Sequence, residues 1–94
     1  MDIAPHDARR RRLLFRARHR GTHETDLLVG GFVASELAAM DEASLDELEA
    51  VLELPDVDLL DWLTGRRPVP EEAATPLLAR MVAWSLAQRG VSHG

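Results

Sequence analysis

Glycine and proline cut this chain into short pieces, and that punctuation limits its architecture more than any other feature. Gly21, Gly30-Gly31, Pro55, Gly65, Pro68, Pro70, Pro76 and Gly90 leave stretches of helix length between them. A proline inside a helix removes a hydrogen bond and clashes with the preceding turn, and a glycine costs about 1 kcal/mol relative to alanine. Within the pieces, Leu, Val and Ala recur at three- and four-residue spacing. None shows the sustained alternation of β-branched residues that a half-buried strand needs. With 94 residues there is material for one core and no more. The expectation is all-α: a single domain over residues 1–94, packed as a compact bundle of about five short helices, with 1–6 and 91–94 as frayed ends.

The segments are read as follows. Residues 7–20 lack Gly and Pro, take Asp7 as N-cap, and place Leu13, Leu14 and Ala17 on one face. Residues 24–40 carry Val29, Phe32, Val33, Leu37 and Met40, interrupted by Gly30-Gly31. Either the helix breaks at that pair or another element packs too close for a side chain; close packing is the preferred reading. Ser44-Leu45-Asp46-Glu47 fits a capping box, followed by Leu48 and Leu52. Pro55 ends that helix near residue 53. The next starts at Asp56 or Asp58, with Val57, Leu60 and Leu63 as one face and Leu59 and Trp62 beside it, and stops at Gly65. The last starts at Glu71 or at Pro76 with Thr75 as cap, and buries Leu77, Leu78, Met81, Val82 and Leu86, with Trp84 alongside.

Several function classes fall away early. There is no cysteine, hence no disulfide framework, cysteine-zinc site or thiol nucleophile. Tyr is absent and aromatics are 4% of the chain, too thin for a base-stacking platform. No apolar run approaches the length of a membrane span, so no membrane insertion is expected. No secretory signal pattern is present. The Arg-rich start has two Asp and no Ser, unlike a transit peptide, so it reads as a mature N-terminus.

Charge is unevenly spread. All eleven cations are Arg, and seven of them lie in residues 1–20. That segment has a balance of +5 and the remainder −10. One reading is a solvated helix attracted to its own acidic body. The sharper one is a nucleic-acid arm on the Arg9–Arg12 run, opposed by an acidic body that would repel phosphate.

Most candidate chemistry has a structural explanation. Asp41/Glu42, Asp46/Glu47 and Glu71/Glu72 read as helix-start charges that complement the dipole. Asp56, Asp58 and Asp61 hint at a calcium loop but lack the turn glycine and terminal glutamate. His19 and His23 are four apart, but Gly21 lies between them and no third histidine is near. No Gly-rich phosphate loop and no nucleophile with its base can be assembled. The direct reading is a binding module with no catalytic residue.

Arg20-Gly21-Thr22-His23-Glu24-Thr25-Asp26 stands apart. It concentrates a cation, a glycine turn, two hydroxyls and two acids where one helix gives way to the next. Helix-dipole complementation explains part of this. A glycine turn flanked by Arg and Glu is also a compact polar contact point of both signs.

At this stretch the sequence resembles the succinate dehydrogenase flavinylation factors, the FAD assembly factors also called succinate dehydrogenase assembly factor 2. The resemblance rests on Arg-Gly-x-x-Glu after an Arg-rich helix, here Arg20-Gly21-Thr22-His23-Glu24 with Asp26 following. It also rests on Asp58-Leu59-Leu60-Asp61-Trp62-Leu63-Thr64-Gly65, which looks like the family's acidic-Leu-x-x-Trp-Leu segment. It covers about residues 9–88. The resemblance implies a five-helix bundle acting as a chaperone on the flavoprotein subunit of succinate dehydrogenase, and in some bacteria of fumarate reductase. It implies promotion of covalent FAD attachment to a histidine of that partner, with FAD carried by the partner and not held stably by this chain. Arg20, Gly21, Thr22, His23, Glu24 and Asp26 would be the partner-binding residues. The free protein would be a monomer in the bacterial cytoplasm, or in the mitochondrial matrix of a eukaryote. The competing class is a small helical DNA-binding or regulatory module using the N-terminal Arg run.

Overall fold

The computed structural model describes residues 5–91, and every regular element among them is helical. Five α-helices follow in order: α1 (Pro5–Arg18), α2 (His23–Glu36), α3 (Glu42–Leu52), α4 (Asp56–Leu63) and α5 (Pro76–Val91). Short 3-10 turns at Leu37–Ala39 and Glu71–Ala73 link α2 to α3 and α4 to α5. The expected fraying at the chain ends falls largely on residues outside those described.

Helix α2 is central: it packs on α1, α4 and α5, while α3 closes the bundle against α1 and α5. The core is aliphatic, built from Leu13 and Ala17 of α1, Val29, Phe32 and Val33 of α2, and leucines of the other three. Trp62, in the segment that resembles the family's Trp-Leu pattern, is 4% exposed and belongs to this core. Ser85 is fully buried, and its hydroxyl donates to the Leu63 carbonyl at 2.7 Å, closing the C-terminal end of α4.

The glycine pair does not break α2. A Cβ on Gly30 would lie 2.9 Å from Cγ of Arg18, and one on Gly31 would lie 2.8 Å from Cη2 of Trp84. Both glycines are packed against neighbours, one by α1 and one by α5, as the close-packing reading expects.

Four boundaries or faces differ from expectation. First, α1 runs Pro5–Arg18, so Asp7 sits in its first turn and the chain leaves the helix two residues before Arg20. Second, α3 starts at Glu42, with Asp41 as N-cap accepting the Ser44 amide at 2.8 Å. Asp46 and Glu47 are therefore interior to the helix. Glu47 instead reaches α5, where its Oε1 accepts the Leu77 amide at 3.0 Å beside the Thr75 cap on Leu78. Third, α4 buries Leu59, Trp62 and Leu63, leaving Val57 65% exposed and Leu60 half-buried. Fourth, Leu86 is exposed, because Ser85 takes the inward position on α5.

The arginine-rich α1 is stitched to the acidic body. Arg9 pairs with Glu42 at 3.0 Å and Asp46 at 2.6 Å on α3, and Arg16 pairs with Glu53. Arg10 donates to the carbonyls of Leu37 and Met40, satisfying backbone groups after α2.

Candidate docking site

The turn between α1 and α2 occupies His19 to Thr22, and its shape follows from two local requirements. Gly21 has φ +119°, a backbone region that side-chain-bearing residues rarely adopt. Thr22 is the N-cap of α2: its extended backbone leads into the helix and its hydroxyl accepts the Thr25 amide at 3.3 Å. Thr25 is fully buried, and its hydroxyl pairs with that of Thr22. Asp26 is half-buried and turns back to accept the Arg20 amide at 2.6 Å. The turn is thus closed on itself from both sides.

Arg20 ties the turn to the rest of the protein. Its Nε donates to Oδ1 of Asp56 at 2.5 Å, its Nη1 to the Leu52 carbonyl at 2.8 Å, and its Nη2 to the Leu54 carbonyl at 2.6 Å. The side chain is 9% exposed. One planar guanidinium therefore closes the end of α3, holds the Pro55 corner, and neutralises the carboxylate at the start of α4. Arg20 lies in the α1–α2 turn, where its backbone amide meets Asp26. Its hydrogen-bonding groups, however, point into the protein, an arrangement no local pattern announces because its partners lie more than thirty residues away.

The remaining members divide by exposure. Gly21, Thr22, His23 and Glu24 are exposed; Thr25 and Asp26 support them from beneath. No atom lies within 4 Å of where a Cβ on Gly21 would stand, so the turn presents bare backbone to its surroundings.

Two open grooves flank the turn. One, of about 410 Å³, runs between α1 and the α3–α4 corner and includes Phe15, His19, Arg20, Leu54, Pro55 and Asp56. The other, of about 400 Å³, lies between α2 and α4 and is lined by Thr22, Glu24, Thr25, Asp56, Val57 and Leu60. Asp56 borders both. Phe15 and Val57, two of the most exposed large apolar side chains described, each border one groove. Sequence periodicity missed Val57 by assigning it to the core. Phe15 had no assigned partner, and its exposure follows from Leu13 and Ala17 taking the inward face.

These groups suit binding. Apolar knobs beside a rigid polar turn are what protein interfaces use: apolar contact for affinity, charge for register. Among the described residues no cluster of His, Asp or Glu could hold a metal ion. The carboxylates that hinted at calcium are engaged otherwise, Asp56 with Arg20 and both Asp58 and Asp61 with Arg67. His19 stacks on Phe15, with ring centroids 4.0 Å apart, and its Nδ1 lies 2.7 Å from the Phe15 carbonyl. No helix among the described residues is long and apolar enough to cross a membrane.

Residues 11–85 match a family model described as "Flavinator of succinate dehydrogenase". Over 83 residues the chain is 58% identical to the FAD assembly factor SdhE of Acetobacter pasteurianus, spanning 88% of this chain and 76% of that protein. It is 40% identical over 82 residues to the mitochondrial succinate dehydrogenase assembly factor 2 of Mycosarcoma maydis. It is 37% identical over 81 residues to the protein of the same name in Saccharomyces cerevisiae. The matched region is 33% of the Mycosarcoma protein and 50% of the Saccharomyces protein, so the chain spans a third to a half of these mitochondrial relatives.

Proposed function

This chain belongs to the family of succinate dehydrogenase flavinators, and from that membership we propose that it binds the flavoprotein subunit of succinate dehydrogenase and promotes covalent attachment of FAD to it. Fumarate reductase is a second client where the organism has one. The flavin and the acceptor histidine belong to the partner and supply the atoms that bond. This chain contributes no catalytic group and does not hold FAD stably, in keeping with a sequence that has no dinucleotide-binding loop. It works as a monomer before docking, in the bacterial cytoplasm or, in a eukaryotic setting, the mitochondrial matrix.

The observation that carries this reading is the division of labour in the turn. Arg20, Thr25 and Asp26 use their hydrogen-bonding groups inside the protein and hold the backbone rigid. Gly21, Thr22, His23 and Glu24 are thereby presented as a preformed contact between two apolar-edged grooves. A rigid contact spends little entropy on docking and can fix the geometry of the client's flavin and histidine, where ordering is worth up to about 7–11 kcal/mol in favourable cases. The DNA-binding alternative loses support, since four of the seven N-terminal arginines are engaged within the chain.

The test is flavin fluorescence of the denatured flavoprotein subunit after gel electrophoresis, from cells with and without this chain. The expected result is a covalent flavin signal that depends on the chain and falls at least tenfold with Glu24→Ala, while circular dichroism of the variant stays that of the wild type. A wild-type signal in cells lacking the chain would overturn the function. A wild-type signal with Glu24→Ala would overturn the site.

A further inference from the structure

Helix α1 carries its arginines on two sides. Arg9, Arg10 and Arg16, with Arg20 just beyond the helix, turn toward the acids and carbonyls of the bundle. Arg11, Arg12 and Arg18 are exposed, and among the described residues their side chains make no ion pair or hydrogen bond. Arg11 and Arg18 are two turns apart, so they lie along one side of the helix with Leu14 and Phe15 between them. These four residues and His19 line an open groove of about 220 Å³. Phe15 is 63% exposed, and its ring is held by the stack on His19. The stem of Arg18 lies over Gly30 of α2, and Arg18 borders a further groove with Leu27, itself 59% exposed.

The charge pattern selects the occupant. Residues 21–94 have a balance of −10, so an acidic partner is repelled by most of the molecule and attracted to this side. Arginines with no internal partner form paired, two-pronged hydrogen bonds with carboxylates at no cost to existing bonds. Nucleic acid fits poorly. Its closely spaced phosphates extend beyond three guanidinium groups and onto the acidic body.

We propose that the outer face of α1, formed by Arg11, Leu14, Phe15 and Arg18, is a second docking surface that takes an acidic segment of the flavoprotein client. Carboxylates of that segment pair with Arg11 and Arg18, and an apolar side chain between them seats on Phe15 and His19. This deepens the proposed function and rests on it, since the client is the same. The face adjoins the Arg20–Glu24 turn through Phe15 and His19, which border both grooves. The two surfaces together fix the rotation of the factor on its client.

The experiment is fluorescence anisotropy of the labelled full chain titrated with the purified flavoprotein subunit, between about 50 and 500 mM salt. The variants are Arg11→Glu/Arg18→Glu, the charge-removing Arg11→Gln/Arg18→Gln, and Phe15→Ala. All alter exposed side chains, so their melting curves should overlay the wild type. Both double variants should bind at least tenfold more weakly at low salt and lose most of the salt dependence. Phe15→Ala should weaken binding about fivefold or more with the salt dependence retained. Wild-type affinity and salt dependence in the double variants would overturn the proposal. Weakened client binding at every salt with an unchanged slope would also overturn it, since the arginines would then not be pairing with charge. Neither result touches the flavinylation reading, which the covalent flavin signal of the unsubstituted chain decides separately.

Discussion

The Arg20 guanidinium reaches Asp56 at 2.5 Å, joining the α1–α2 turn to the first residue of α4. The same group donates to two carbonyls at the end of α3. Arg20→Ala should therefore act first on stability. Removing one partner of a mostly buried ion pair and orphaning two carbonyls should cost about 2–4 kcal/mol, read as a lower urea midpoint with unchanged slope. Arg20→Lys should recover only part of this, because an ammonium cannot span the carboxylate and both carbonyls as a planar fork does. Equal stability of the alanine variant and the wild type would show that the clamp is not formed in solution.

Gly21 and Glu24 should separate stability from docking. Gly21→Ala places a side chain at φ +119°, for a cost of about 1–3 kcal/mol, although nothing nearby would clash with it. Glu24→Ala, at an exposed position, should move the melting temperature little and reduce covalent flavin yield strongly. The melting temperatures and flavin yields of the two variants, measured side by side, check this ordering.

The helix-propensity rule should fail at Gly31. Alanine there gains about 1 kcal/mol of propensity but drives a methyl to 2.8 Å from the Trp84 ring. That ring is itself packed edge-on against Phe32, with centroids 6.0 Å apart, so it has little freedom to move away. Overpacking of about 1–3 kcal/mol should leave Gly31→Ala net destabilised. Combining it with Trp84→Leu should remove most of that added penalty, which a double-mutant cycle by urea denaturation would read directly.

Asp41 should contribute to the acid limb of stability. The Ser44 amide and hydroxyl hold its carboxyl below the usual carboxylate range. A depressed pKa means the contribution is complete at neutral pH and is lost as pH falls below about 4, through the lowered folded-state value. Asp41→Asn keeps a good N-cap without a titrating group. It should match the wild type closely at pH 7 and lose less stability between pH 4 and 2.5, measured by urea midpoints across the pH series.

What could be read from the chain was what depends on neighbours in sequence. Helical spacing, the stop at Gly65, the Thr75 cap and the turn at Gly21 are local, and the structure has them. The close approach at Gly30 and Gly31 was legible because only a neighbour explains two glycines inside an apolar helical pattern. The rotation of α4 was not. Val57, Leu59, Leu60, Trp62 and Leu63 cover so much of a short helix that periodicity cannot choose the inward side. Likewise Ser44 offered a capping box as good as the cap Asp41 makes, and only packing that calls on Glu47 at α5 decides between them. At the candidate docking site, motif and resemblance singled out the turn, but the inward aim of Arg20 needed partners 32 to 36 residues downstream.

That separation bears on synthesis. During translation α1 and α2 leave the ribosome well before the corner that Arg20 grips, so the knuckle cannot set until α4 has also emerged. A truncated or stalled product ending before Asp56 would carry the whole motif and still lack its finished shape. Under the docking role proposed above, a fragment ending before Asp56 would present that contact without the guanidinium clamp that fixes its shape.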